Sequence, residues 1–439
     1  AGGSSSHAPG LFQKVSTSKT LARMAEQGIE KLLGAEHEEG PAFYQVGSLE
    51  LATTPRRLEE LHRRVSWLKM YGYEAEVISP EETAKLHKLV KPEAILGAAY
   101  CPTDGNAKAI RGIQAMQRLA EARGVKFQDN TAVIGIESED GKVTGVTTDK
   151  GFVPADLIIS AAGIWGPKVG HMFGMSKAFQ PMVHQLAFTE PLEELAGETI
   201  ELTMPICRNQ EESIYYRQRF DAMGIGSYVH TPMPVDAEDI VPYDQAPIMP
   251  SQLPFTEVDW EPVQRTSAEY MKGLGDAKIS DGMNGMFSFT VDTFPLVGEW
   301  KGLKGFWVAE AVWATHAVGV ARATAEWIVD GHPTLPIHEF DVNRFEPHQL
   351  GPSHIKMRGS QNFAEVYDII HPLQPMEKPR PIRTTGYYHR HQELGGFFLE
   401  ASGYERAQWF ESNKDLVAKY PTPKRDEWSS KFWSPIVAA

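Results

Sequence analysis

The chain has 439 residues, 42% of them hydrophobic, enough for two to three domains and a large core. Its 43 Lys and Arg against 57 Asp and Glu give a formal net charge of −14, which argues against nucleic acid and against an anionic membrane surface as partners. The two cysteines, Cys101 and Cys207, lie far apart, form no metal-type spacing and fit a reducing compartment.

The chain opens on Gly2-Gly3-Ser4-Ser5-Ser6-His7-Ala8-Pro9-Gly10, short, polar and carrying one imidazole. Taken alone, such a run is a linker. Its glycines and Pro-Gly pair also allow backbone to approach a flat ligand and turn sharply. Residues 19–33 read as an amphipathic helix, with Leu21, Met24, Ile29 and Leu32 at helical spacing and Ser18 as N-cap. Residues 42–53 read as a strand of imperfect alternation. Residues 55–71 read as a basic helix whose Arg56, Arg57, Arg63 and Arg64 form a solvated face. Ser79-Pro80-Glu81-Glu82 marks another helix start, with proline in the first turn and acid near the dipole.

Pro102-Thr103-Asp104-Gly105 is a turn signal, followed by a helix over 107–123 and a short strand over 125–127. Two β-rich runs, 131–139 and 142–148, flank Asp140-Gly141 as a hairpin. The run over 155–165 is apolar and ends in Ala161-Ala162-Gly163, which predicts a strand buried in a parallel sheet whose carboxyl end admits a nucleotide. Residues 181–231 alternate as an antiparallel sheet forming one wall of a substrate cavity, and 232–254 read as a long acidic, proline-rich loop. A strand over 305–309 turns into a helix that runs from His316 to about Asp330. The most apolar segment, 306–327, is interrupted by Glu310, His316 and Arg322, so no run is long enough to span a bilayer. Beyond about residue 333 the composition changes, and 361–375 read as a connector holding Tyr367 and His371-Pro372.

In this order, the run Ser6-His7-Ala8-Pro9-Gly10-Leu11, the 46–54 and 131–163 stretches, His184, the 215–228 strands, the 287–319 strand–helix unit and the 361–409 segment resemble the dimethylglycine oxidase, dimethylglycine dehydrogenase and sarcosine dehydrogenase family. The likeness covers nearly the whole chain. It implies an α/β (α+β) fold, with an FAD-binding domain of glutathione-reductase type and an antiparallel substrate-binding sheet. The implied division is a flavin and substrate part over 1–335, a connector over 336–382, and the start of an aminomethyltransferase-like folate domain over 383–439. It further implies that the first Rossmann strand, with its G-x-G-x-x-G loop, and most of the folate half are missing.

The resemblance also assigns residues. FAD is held covalently through His7. Ser4, Ser5, Ser6 and Leu11 line the flavin loop, and Val133 holds the adenosine region. Thr315, His316, Ala317 and Val318 contact the ring, and His184 and Tyr215 form the catalytic pair facing it. No metal is implied. The implied reaction is oxidative N-demethylation of N,N-dimethylglycine or sarcosine. Hydride passes from the N-methyl carbon to flavin, leaving an iminium that is hydrolysed or, in a full-length form, captured by tetrahydrofolate. Oxygen or an electron-transfer flavoprotein takes the electrons, and the expected location is the cytoplasm or the mitochondrial matrix. The competing reading is a non-catalytic homologue that does not bind FAD and serves as a binding or assembly subunit. Without the family, His184 is a hydrogen-bonded core histidine, Tyr215 is sheet packing, and His316 caps a helix.

Overall fold

Local signals set the first helices. In the computed structural model, which describes residues 2–369, 374–422, 424–425 and 432–438, Lys19–Leu33 is a helix whose N-cap Ser18 accepts from the Leu21 amide at 3.3 Å. Pro55–Tyr71 starts on Thr54, which accepts from the Arg57 amide at 3.1 Å, and stops at Gly72 in the left-handed region. Pro80–Leu86 opens with a full capping box between Ser79 and Glu82.

Tertiary structure overrides the sequence in four places. The 42–53 run is two strands, Phe43–Tyr44 and Ser48–Ala52, broken at Gly47 with φ +83°. The 125–127 run forms no strand, and Val125 and Phe127 are half exposed. Ile158–Ser160 does pair in parallel with Phe306–Glu310, but Leu157 and Ile159 are exposed, so this run is not buried. The arginines of Pro55–Tyr71 are not a solvated face. Arg57 is 3% exposed and pairs with Glu211 at 2.7 Å, while Arg64 pairs with Glu50 at 3.2 Å and Glu60 at 3.0 Å. The Pro-started helix lies against the sheet, so its basic face meets acids rather than water. His371-Pro372 lies outside the described residues.

A ten-stranded sheet organises the chain. From one edge it runs Gln252–Pro254, Ile279–Thr290, Phe179–Thr189, Ala222–Ser227, Ile214–Arg219, Ile206–Asn209, Ser48–Ala52, Gly97–Cys101 and Glu76–Ile78, with Met233–Pro234 added on Phe179–Thr189. Residues alternate between its faces. One face sets Leu49, Leu51, Cys207, Ile214 and Tyr216 against Trp260 and Val263 of the helix Glu257–Tyr270, forming the largest core. Each such fully buried side chain stabilises by about 1.5–3 kcal/mol. The other face presents Leu186, Ile206 and Tyr215 to Leu11 and Tyr367.

A second sheet orders Ile158–Ser160, Phe306–Glu310 and Leu296–Glu299. The helix Ala317–Asp330 that follows packs on Lys19–Leu33 at close range. A Cβ on Gly319 would lie 2.5 Å from Met24, so only glycine permits the approach. Val133–Glu139 and Lys142–Thr148 form the predicted hairpin, extended by Gly151–Pro154. The helix Pro352–Ala364 packs on the large sheet, and Gly396–Ala401 pairs with Tyr404–Phe410 as a separate hairpin. No helix among the described residues is long and apolar enough to cross a membrane.

Candidate active site

A cavity of about 410 Å³ lies between the second face of the large sheet and the carboxyl ends of Ile158–Ser160 and Phe306–Glu310. The opening loop forms part of its wall and is fixed by pairing. Leu11 and Phe12 pair antiparallel with Asn106 and Gly105, and Asn106 Nδ2 donates to Pro9 O at 2.9 Å. Gly10 sits at φ +80°, where a Cβ would lie 2.0 Å from Ala107 O, so the turn into this strand requires glycine.

The loop delivers His7 into the wall. Its ring fills the space that Gly285 leaves open: a Cβ on Gly285 would lie 2.4 Å from His7 Nδ1. Nε2 is buried without a partner. Burial lowers the His7 pKa to about 4, against weaker opposing pulls from backbone groups of His7, Met286 and Ser251. The imidazole is therefore neutral at neutral pH, with a nitrogen lone pair available. Gly285 is also the register partner of His184, so the two histidines approach one point of the sheet from different elements.

His184 Nε2 and Tyr215 Oη form a 2.7 Å hydrogen bond across the Ala222–Ser227 strand. Gly226, opposite Tyr215, makes this possible, because a Cβ there would lie 1.9 Å from the phenol ring. Tyr228 stacks on His184 with centroids 4.1 Å apart and planes 21° apart. Burial, then His230 and His7, hold the His184 pKa well below the usual imidazole value. Burial pushes Tyr215 well above the usual phenol range. Neither group ionises near neutrality, so one shared proton sits between two uncharged rings.

Glu310, the one lining carboxylate among the described residues, is not free. Lys177 Nζ donates to its two oxygens at 2.7 and 2.8 Å, the Ala162 amide donates at 3.2 Å, and the Ser160 hydroxyl also donates. Both ion-pair side chains are fully buried. The opposite holds for Arg208, which also lines the cavity. It makes no ion pair or side-chain hydrogen bond among the described residues, and its Nε is buried without a partner. Its guanidinium lies 5.5 Å from the centroid of the Tyr367 ring.

Of the residues singled out in the sequence, the cavity gathers Ser4, Ser5, His7, Leu11, His184, Tyr215, Thr315 and Ala317. Ser6 is outside the lining; its hydroxyl bonds Gly3 O and Met249 Sδ. His316 and Val318 are also outside it, and His316, at the N-cap of Ala317–Asp330, makes no capping hydrogen bond. Val133 lies on the outer hairpin, 37% exposed. Sequence reasoning missed Arg208, Tyr228 and the Lys177–Glu310 pair, and gave Tyr367 no role. A single charge in the apolar run Ile206-Cys207-Arg208 was the one available signal. Small backbone at Gly3, Gly10, Ala161, Ala162 and Gly163, aromatic rings opposite, and an orphaned imidazole nitrogen fit a flat heteroaromatic ring.

The sequence matches the FAD dependent oxidoreductase family over residues 1–330 and the FAD dependent oxidoreductase central domain over 330–385. It is 28% identical to human mitochondrial sarcosine dehydrogenase, covering 93% of this chain and 44% of that protein. It is 27% identical to rat mitochondrial dimethylglycine dehydrogenase, covering 97% of this chain and 50% of that protein. The chain thus spans about half the length of these relatives. The fold is similar to that of L-proline dehydrogenase from P. horikoshii, with TM-score 0.67, 22% identity, and coverage of 78% of this chain and 88% of that one.

Proposed function

Because the chain belongs to the FAD dependent oxidoreductase family, that of the dimethylglycine and sarcosine dehydrogenases, we propose that its cavity oxidises a small N-methylated amino acid, N,N-dimethylglycine or sarcosine. The neutral His184–Tyr215 pair, in a cavity without a free carboxylate among the described residues, carries this reading. Oxidation at the N-methyl carbon requires the nitrogen lone pair, so the amine must react unprotonated. A site with no unpaired anion, lined by uncharged rings and one cation, disfavours the ammonium form. The shared proton between His184 and Tyr215 gives a donor or acceptor for orienting the amine without trapping it as an ion. When bound, FAD supplies the hydride acceptor. Water adds to the iminium carbon and the C–N bond breaks, giving formaldehyde, a proton and the amino acid with one methyl group fewer.

His7 is the proposed covalent attachment point for FAD. Its support is the neutral, orphaned nitrogen of an imidazole locked against Gly285. Ser4, Ser5, Leu11, Thr315 and Ala317 would surround the ring, with Val133 assigned to the adenosine end. Residues 1–335 would form the flavin and substrate part, 336–382 the connector, and 383–439 the start of a folate-domain-like segment. The test is anaerobic addition of N,N-dimethylglycine or sarcosine to the flavin-loaded protein, following bleaching of the flavin band and formaldehyde release. A flavin that neither substrate reduces would overturn the assignment. Yellow colour retained after acid precipitation would identify covalent FAD and exclude a subunit that binds none.

A further inference from the structure

Glu310 stands in the cavity wall with its counterion behind it. It ends Phe306–Glu310 and lines the cavity, whereas Lys177, which pairs with it, does not. Lys177 Nζ sits over Phe306, 5.8 Å from the ring centroid, against the adjoining apolar core. The hydrogen bonds are those of an ionised pair. Lys177 Nζ donates at 2.7 Å to Glu310 Oε2, at 2.8 Å to Oε1 and at 3.0 Å to Ser160 Oγ. The Ser160 hydroxyl passes its own hydrogen to Oε1, and the Ala162 amide donates to the same oxygen at 3.2 Å. Only donors converge on the two oxygens, and every ammonium hydrogen is used. Gly166 leaves the room for this, because a Cβ there would lie 2.2 Å from Oε2.

Both side chains are fully buried. A buried pair of this kind is often no more stabilising than apolar side chains of the same volume, so stability alone is a weak reason to keep it. Its position supplies a stronger one. The carboxylate closes the carboxyl ends of two parallel strands, where ligands meet open α/β sheets, and the residues that follow each strand, 161–163 and 311–313, line the cavity with it.

We infer that the Lys177–Glu310 pair is a fixed dipole, acidic end toward the cavity, that tunes the bound flavin toward giving up its electrons. This goes beyond the amine-oxidation reading and rests only on flavin occupying the cavity. Hydride brings two electrons and one proton, so an uncharged ring that accepts it becomes an anion. A carboxylate in the wall raises the energy of that anion, and the ammonium offsets this only in part, because it lies farther away. The pair carries no net charge, so an amine entering the cavity meets a weaker field than that of a free carboxylate. The Ser160 hydroxyl and the Ala162 amide hold the oxygens in one orientation, so the dipole has no need to reorganise when the ring changes charge.

The test is the redox equilibrium of flavin-loaded full chain against a reference dye during slow anaerobic reduction by dithionite. Glu310→Gln removes the charge and keeps an acceptor. Lys177→Met with Glu310→Leu removes both charges and serves if the single variant does not fold. Each should shift the equilibrium constant toward reduced flavin about 3- to 30-fold. Glu310→Asp keeps the charge and should stay within about twofold of the parent. An equilibrium unmoved in both uncharged variants, or moved toward oxidised flavin, would overturn the inference. So would an Asp variant that moves as far as the Gln variant, because shape rather than charge would then be at work. No arm uses an amine, so a flavin that N-methylated amino acids fail to reduce would refute the oxidation reading and leave the dipole standing. A parent protein that takes up no flavin would refute the dipole outright.

Discussion

Replacing Tyr215 by Phe removes one oxygen and changes little else. The 2.7 Å bond to His184 is lost, and His184 Nδ1 already has no partner, so a fully desolvated imidazole would be left with neither nitrogen bonded. An unsatisfied buried polar group costs about 1–3 kcal/mol. For a chain of 439 residues that corresponds to a fall in Tm of roughly 1–3 °C. The phenylalanine ring fits the space that Gly226 leaves, so no cavity or clash adds to this. Loss of one orienting group should slow flavin reduction about 10- to 100-fold with FAD still bound. Because burial holds His184 well below and Tyr215 well above their usual pKa values, neither titrates across about pH 6 to 9. The pH midpoint of single-turnover reduction should therefore belong to the substrate ammonium and stay put in the variant while the limiting rate falls. A midpoint that moves or disappears would show that the pair ionises near neutrality, refuting the neutral-pair reasoning. An unchanged rate would remove Tyr215 from the chemistry.

Four further outcomes follow from the same structure. His7→Ala should release FAD on denaturation, read by mass spectrometry of the peptide containing position 7. Since burial puts the His7 pKa at about 4, attachment during assembly should persist to about pH 5 and fail only near or below pH 4. His87 is fully buried with both ring nitrogens unpartnered and a pKa lowered by burial from 6.5 to about 4. Unfolded chain then binds more protons between those values, so stability is full above pH 6.5 and about 2.5 kcal/mol lower near pH 4.5, a slope that His87→Gln should remove in urea titrations. Lys177→Met should cost about 3–5 kcal/mol by leaving Glu310 charged and buried, and Lys177→Met with Glu310→Leu should recover much of it; equal stability of the single and double variants would argue against a paired charge.

The sequence alone determined the elements whose instructions are local. Helices over 19–33, 55–71 and 80–86 begin at Ser18, Thr54 and Ser79, and the 140–141 turn makes its hairpin, because caps and turns need only neighbours in the chain. His184 and Tyr215 were legible as a pair only through the family pattern, since a histidine and a tyrosine 31 residues apart carry no spacing signal. Tertiary structure decided which charges are used. Arg57 and Arg64 read as solvent-facing, yet Arg57 is buried and Arg64 half-buried in ion pairs, because the acids that neutralise them lie on other elements: Glu211 beyond the Ile206–Asn209 strand, and Glu50 on Ser48–Ala52. Those same acids pair with Arg57 and Arg64, and Arg208 has no ion pair among the described residues. A side chain's free charge is a property of what surrounds it in three dimensions, and periodicity cannot report it.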